Sequence, residues 1–119
     1  MTSEAVAPDP DAVDWLPLPD LAERIGEDTR KVRQLLHEGR LVTVRRDGVQ
    51  VVPAAFVADG HLVKGLTGLV TLLHDAGYDE EQSVAWMLRT EESLGGSPLA
   101  VMAEGRGREV KRLAQTLGF

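Results

Sequence analysis

The chain has 119 residues, 43% apolar and only 4% aromatic, enough for a core of Val, Leu and Ala with Trp15, Phe56, Tyr78, Trp86 and Phe119 as its few large pieces. There is no cysteine, which excludes disulfides, thiolate zinc sites and a cysteine nucleophile, and no apolar run approaches the roughly 20 residues a membrane helix needs. The net charge of −6 is unevenly spread: residues 1–23 hold six acids and no Lys or Arg, residues 24–46 seven bases against three acids, and the remainder ten acids against six bases. Charges more than about 10 Å apart are largely screened, so a polyanionic partner responds to the basic island and not to the total. The start of the chain lacks the features of a secretory signal, and a cytoplasmic location is expected.

Residues 1–13, rich in Ala, Pro and Asp, read as a disordered acidic tail. Such a tail either solvates the chain or folds back on the basic island, and Thr2 or Ser3 could carry a phosphate. A short helix is predicted over residues 19–25, opened by Pro19 and stopped by Gly26, with Leu21, Ala22 and Ile25 inside. A second helix begins after a cap at Glu27 or Asp28 and runs to about Glu38, before Gly39. Its buried stripe is Val32, Leu35 and Leu36. Arg30, Arg33, Gln34 and His37 fall on the opposite face, with Lys31 on the flank.

Two β-branched runs, residues 41–46 and 49–52, flank Asp47-Gly48, a dipeptide suited to the positive φ angles of a two-residue hairpin turn. A helix pair joined by a Gly turn and followed directly by a hairpin describes a winged helix-turn-helix, with Arg45 and Arg46 on the wing. The rest reads as helical: residues 67–76, a helix behind the Asp79/Gln82 capping box, a short helix after Ser97-Pro98, and a last one over residues 107–117. The fold class expected is mainly α with a small β-hairpin. The expected division is a tail (1–13), a winged helix-turn-helix (14–58) and a helical C-terminal domain (59–119).

Arg pairs bidentately with guanine, Gln suits adenine, and a helix in the major groove presents such side chains to base edges. The predicted DNA-contacting set is Arg30, Lys31, Arg33, Gln34, His37, Arg40, Arg45 and Arg46. Of these, Arg40, Arg45 and Arg46 suit phosphates or the minor groove, and His37 the backbone. His37, His61 and His74 match no metal-ligand spacing, Ser3, Ser83, Ser93 and Ser97 stand in no nucleophile motif, and no Gly-rich phosphate loop follows a strand. Neither cofactor, metal nor enzymatic activity is expected. Double-stranded DNA is the expected partner, with a second copy or another protein on the C-terminal helices.

The run from Leu36 to Arg46 resembles a family of small actinobacterial winged-helix DNA-binding proteins, as do residues 63–69, residues 73–78 and the segment from Glu109 to Gln115. The resemblance covers residues 18–119 and implies an excisionase-like or MerR-like winged helix-turn-helix, followed by a helical domain of undefined role. It implies DNA contacts at Arg30, Lys31, Arg33, Gln34, Arg45 and Arg46, and transcriptional regulation is the function expected of such a protein. Thr67 stands where the family is expected to have proline, and residues 91–98 are shorter and richer in Gly. Gly96-Ser97-Pro98-Leu99, Met102, Gly105-Arg106 and Val110 are similar to the toxin-binding module of bacterial antitoxins. The alternatives are therefore an antitoxin-like protein-interaction module or an excisionase-type recombination factor.

Overall fold

A computed structural model describes residues 13–117. Apart from Val13, the acidic tail lies outside the described residues, as does Phe119. Helix α1 (Leu18–Ile25) carries Pro at its start, buries Leu18, Leu21 and Ala22, and ends at Gly26 with φ 69°. Helix α2 (Thr29–His37) is capped by Asp28, which decides between the two expected caps, and it buries Val32 and Leu35. The left-handed Gly39 (φ 73°) ends its last turn, and the Arg40 N–H donates to the Leu35 carbonyl over 2.9 Å.

The predicted hairpin forms from β2 (Val44–Arg46) and β3 (Val49–Pro53). Asp47 and Gly48 between them have φ 54° and 78°, the signs a type I′ turn requires. The sheet has a third strand that the periodicity did not reveal: β1 (Trp15–Pro17) lies antiparallel along β3, giving the order β1-β3-β2. Three residues, the last of them Pro17, carry too short a pattern to read as a strand, and pairing with β3 alone makes them one.

Beyond β3 a 3₁₀ turn (Ala54–Phe56) leads into a second hairpin, β4 (Val57–Ala58) and β5 (His61–Leu62). Its turn, Asp59-Gly60 with φ 54° and 79°, repeats the chemistry of the wing turn. The expected division after residue 58 falls inside this hairpin. The helices follow as predicted: α3 (Leu66–Asp75), α4 (Glu80–Leu88), α5 (Pro98–Ala103) and α6 (Gly107–Gln115). The Asp79/Gln82 box is reciprocal, with bonds of 2.8 and 2.9 Å, and Ser97 Oγ accepts the Ala100 N–H at 3.2 Å.

One continuous apolar cluster runs from Leu16 and Leu21 through Val52 and Phe56 to Leu69, Met87 and Val110. Phe56 is the one fully buried aromatic among the described residues; Trp15, Tyr78 and Trp86 are half-buried at the cluster's margin. Helix α5 packs on the 3₁₀ turn and α4 on β2, so the helical half is seated directly on the back of the wing sheet.

Candidate nucleic-acid interface

Helix α2 turns Val32 and Leu35 inward, and Arg30, Lys31, Arg33, Gln34 and His37 are all exposed. Arg30, with 90% of its side chain exposed, is tied to its own cap: Asp28 accepts its N–H at 2.9 Å and its guanidinium at 3.2 Å. Those two bonds hold the Asp28 carboxyl below the usual carboxylate range, the backbone bond contributing most. The folded form therefore stays ionised to lower pH than the unfolded chain. The cap is complete above the ordinary Asp range near about 4 and is lost as pH falls through the depressed value. An NMR titration should give Asp28 a midpoint below that of an exposed Asp in the same chain; an ordinary midpoint would remove the cap's part in acid stability.

At the other end of α2 the Gln34 amide donates to the Glu38 carboxylate at 3.0 Å, and Glu38 also pairs with Arg40 at 3.6 Å. The adjoining hollow, lined by Leu36, Gly39, His74, Asp79 and Glu80, adds two more carboxylates beside that end. Lys31 and Arg33 have no carboxylate within ion-pair distance among the described residues, nor does Arg45. The α2 cations without an ion pair among the described residues are thus Lys31 and Arg33, and Arg33 shares a groove with the wing.

On the wing, strand geometry separates two residues that the sequence places side by side. Successive side chains of a strand point to opposite faces. Arg45 pairs across with Gln50, on the face that carries Val52 and Leu16, and it is exposed. Its guanidinium donates to the Gly48 carbonyl at 3.1 Å and braces the turn. Arg45, Gly48, Val49 and Gln50 line a shallow open groove of about 280 Å³ whose other walls are Arg33 and residues 17–19. The groove thus brings helix and wing cations to one place, and Val49, 47% exposed, is the large apolar residue at its rim.

Arg46 points the other way, towards α4. It forks onto Glu81 with bonds of 2.9 and 3.2 Å, donates to the Arg45 carbonyl at 2.8 Å, and lies 4.7 Å from the Trp15 ring centroid. Its guanidinium is held more firmly protonated by the Glu81 bond. Arg46 thus ties the wing to the helical half instead of lining the groove. Period-two alternation in residues 44–46 was the signal that could have separated it from Arg45. An exposed ion pair contributes about 0.2–1 kcal/mol and a cation–π contact about 0.5–1 kcal/mol. Arg46→Ala is therefore expected to lower stability by about 1 kcal/mol in urea denaturation and to weaken DNA binding less than Arg45→Ala does. The reverse order of DNA effects would return Arg46 to the contact surface.

Residues 3–57 match the family model described as the winged helix-turn-helix domain of the DNA-binding protein Rv2175c, and residues 63–118 match the Rv2175c C-terminal domain of unknown function. The chain belongs to the Rv2175c family. It is 36% identical over 115 residues to the DNA-binding protein Rv2175c of Mycobacterium tuberculosis, an alignment covering 86% of this chain and 79% of that protein. The NMR structure of Rv2175c superimposes with a TM-score of 0.77 at 33% identity, covering 98% of this chain and 91% of that one. The Rv2175c family fold is accordingly the one seen here: mostly helical, with a small antiparallel sheet serving as the wing. No helix among the described residues is long and apolar enough to cross a membrane.

Proposed function

We propose that this protein binds double-stranded DNA as a cytoplasmic, non-enzymatic transcriptional regulator, with α2 in the major groove and the β2–β3 wing on the adjoining backbone. The observation that carries the reading is the groove in which Arg33 of α2 and Arg45 of the wing meet with no carboxylate in its lining. Family membership supports it, since the relative is itself a DNA-binding protein. In this reading Arg30, Lys31, Arg33 and Gln34 face the bases and their flanking phosphates, while His37, Arg40 and Arg45 hold the backbone. Arg30 gives up its bond to Asp28 when it reaches DNA. The working division is a DNA-reading half over residues 14–58 and a helical half over 59–119.

Each neutralised phosphate releases counterions, so contact with about four phosphates should give a log–log salt slope near about −3.6. Fluorescence anisotropy of a labelled duplex between low and physiological salt measures it, and a slope near zero would remove the electrostatic docking mode. A single winged domain makes few contacts, so tight binding calls for a second copy or a protein partner on the C-terminal helices. Selection of bound sites from random duplexes returns motif, symmetry and half-site spacing together. A preferred site beside a recombinase gene instead of a promoter would turn the reading into that of a recombination factor.

A further inference from the structure

The helical half contains a second concentration of positive charge, separate from the groove between helix and wing. Lys64, Arg108 and Lys111 converge on an open recess of about 570 Å³, with Gly65, Gly105 and Gly107 forming much of the remaining wall. That volume lies in the range of small-molecule sites. No carboxylate lines the recess, and among the described residues none of its three cations has an ion-pair partner. The nearby acids Glu104 and Glu109 are both taken by Arg106, at 3.4 and 2.8 Å. Three like charges facing one cavity repel one another, and no described carboxylate lies within ion-pair distance of any of them.

The backbone compounds the imbalance. Gly65 is the N-cap of α3 and Arg106 that of α6, and neither end has a side-chain cap; the Leu66 N–H of α3 is taken by the Val63 carbonyl at 3.0 Å, and the other first-turn N–H groups have no side-chain acceptor. Lys111 is packed onto the first turn of α3: a methyl group at Gly68 would lie 3.1 Å from its Nζ, and one at Gly65 would lie 3.5 Å from its Cε. The absence of a Cβ at both positions leaves the Lys111 side chain room beside this turn. A cation at the positive end of a helix is an unfavourable placement by itself. It becomes favourable when an anion sits between the ammonium and the helix end. Met102, buried against Gly65 and Gly107, supplies the apolar part of the lining.

We propose that this recess is a binding site for a phosphate group, with Lys64, Arg108 and Lys111 as its cationic ligands and the glycine-rich backbone as its cradle. Phosphate matches three converging cations and free N–H donors in charge and number of acceptor oxygens. The phosphate belongs either to a free small molecule, which would make the helical half a sensor, or to the DNA backbone, which would make it a second docking point. The site shares no residue with the groove between α2 and the wing.

The test is titration of the full chain with inorganic pyrophosphate, followed by amide chemical shifts against a sodium chloride control of equal ionic strength. Saturable shifts confined to residues 64–68 and 105–111 are expected, weakened at least tenfold in the Arg108→Gln/Lys111→Gln variant and unchanged in Arg33→Ala/Arg45→Ala. Non-saturating shifts, shifts reproduced by chloride, or shifts centred on α2 would overturn the site. So would undiminished binding by a folded Arg108→Gln/Lys111→Gln protein. Should that variant not fold, localisation and saturation in the unaltered chain decide alone. A duplex titration of the same variant then names the source of the phosphate. A salt slope smaller in magnitude by about 2 identifies a DNA phosphate, and an unchanged slope identifies a free ligand.

Discussion

Replacing Arg33 and Arg45 together with alanine is expected to weaken binding to a specific duplex by about 100-fold or more, with little change in the unfolding midpoint. Both side chains are exposed, and neither forms an ion pair among the described residues. Their removal therefore leaves no buried charge behind. A guanidinium set against a base edge is worth about 1–3 kcal/mol, and loss of a phosphate contact lowers the salt slope by about one. About 3 kcal/mol in total corresponds to rather more than a hundredfold in affinity. The two substitutions should also differ in kind. Arg33→Ala should relax discrimination at one base position, whereas Arg45→Ala should weaken all sequences alike and flatten the salt dependence. Normal binding by the double variant would place the DNA elsewhere on the molecule.

The second large effect concerns the union of the two halves. Phe56 is fully buried in the 3₁₀ turn between the wing sheet and the β4–β5 hairpin, its carbonyl accepts the Val63 N–H at 2.8 Å, and α5 packs on the same turn. Phe-to-Ala substitutions in cores cost about 3–5 kcal/mol, a large share of the roughly 5–15 kcal/mol that holds a small domain together. Phe56→Ala is therefore expected to bring the unfolding midpoint down steeply and to loosen both halves at once. Trp15 in the wing sheet and Trp86 in α4 provide a reporter on each side. In single-tryptophan variants of the otherwise unaltered chain the two urea midpoints should coincide, as one continuous cluster requires. Two separated transitions would show that the halves fold independently and would confine the cost of Phe56→Ala to one of them.

A coupled fold bears on function through Arg46. It joins β2 to Glu81 of α4 and stacks on Trp15, a polar tie between the wing and the helical half beside the continuous core. The recess at the starts of α3 and α6, proposed above as a phosphate site, lies in that same helical half. A ligand bound there would act on a body that shares one continuous core with the wing.

Features whose determinants lie within a few residues of one another were legible in the sequence. The Asp47-Gly48 turn, the Asp79/Gln82 box, the Ser97-Pro98 start and the glycine stops after α1 and α2 are all of this kind: φ preferences and i, i+3 hydrogen bonds act locally and need no partner from elsewhere. The exposed face of α2 was legible for a related reason, because a helix with Val32 and Leu35 inward has only one way to turn Arg30, Arg33 and Gln34.

Everything else depended on what packs against what. Strand β1 exists because β3 offers it a ladder, and its three residues carry no pattern of their own. The Asp59-Gly60 hairpin escaped notice because its two-residue arms are too short to show alternation, although the turn dipeptide was in view. Alternation in β2 requires that Arg45 and Arg46 part, but only the docking of α4 on the sheet decides which of them meets solvent and which meets Glu81. The recess of Lys64, Arg108 and Lys111 lies furthest from sequence reasoning, since it joins residues more than forty positions apart. Local backbone chemistry thus determined most of the helices, the wing turn and the exposed face of α2. Long-range burial, which no short window of sequence contains, decided which charges stand together and which are neutralised.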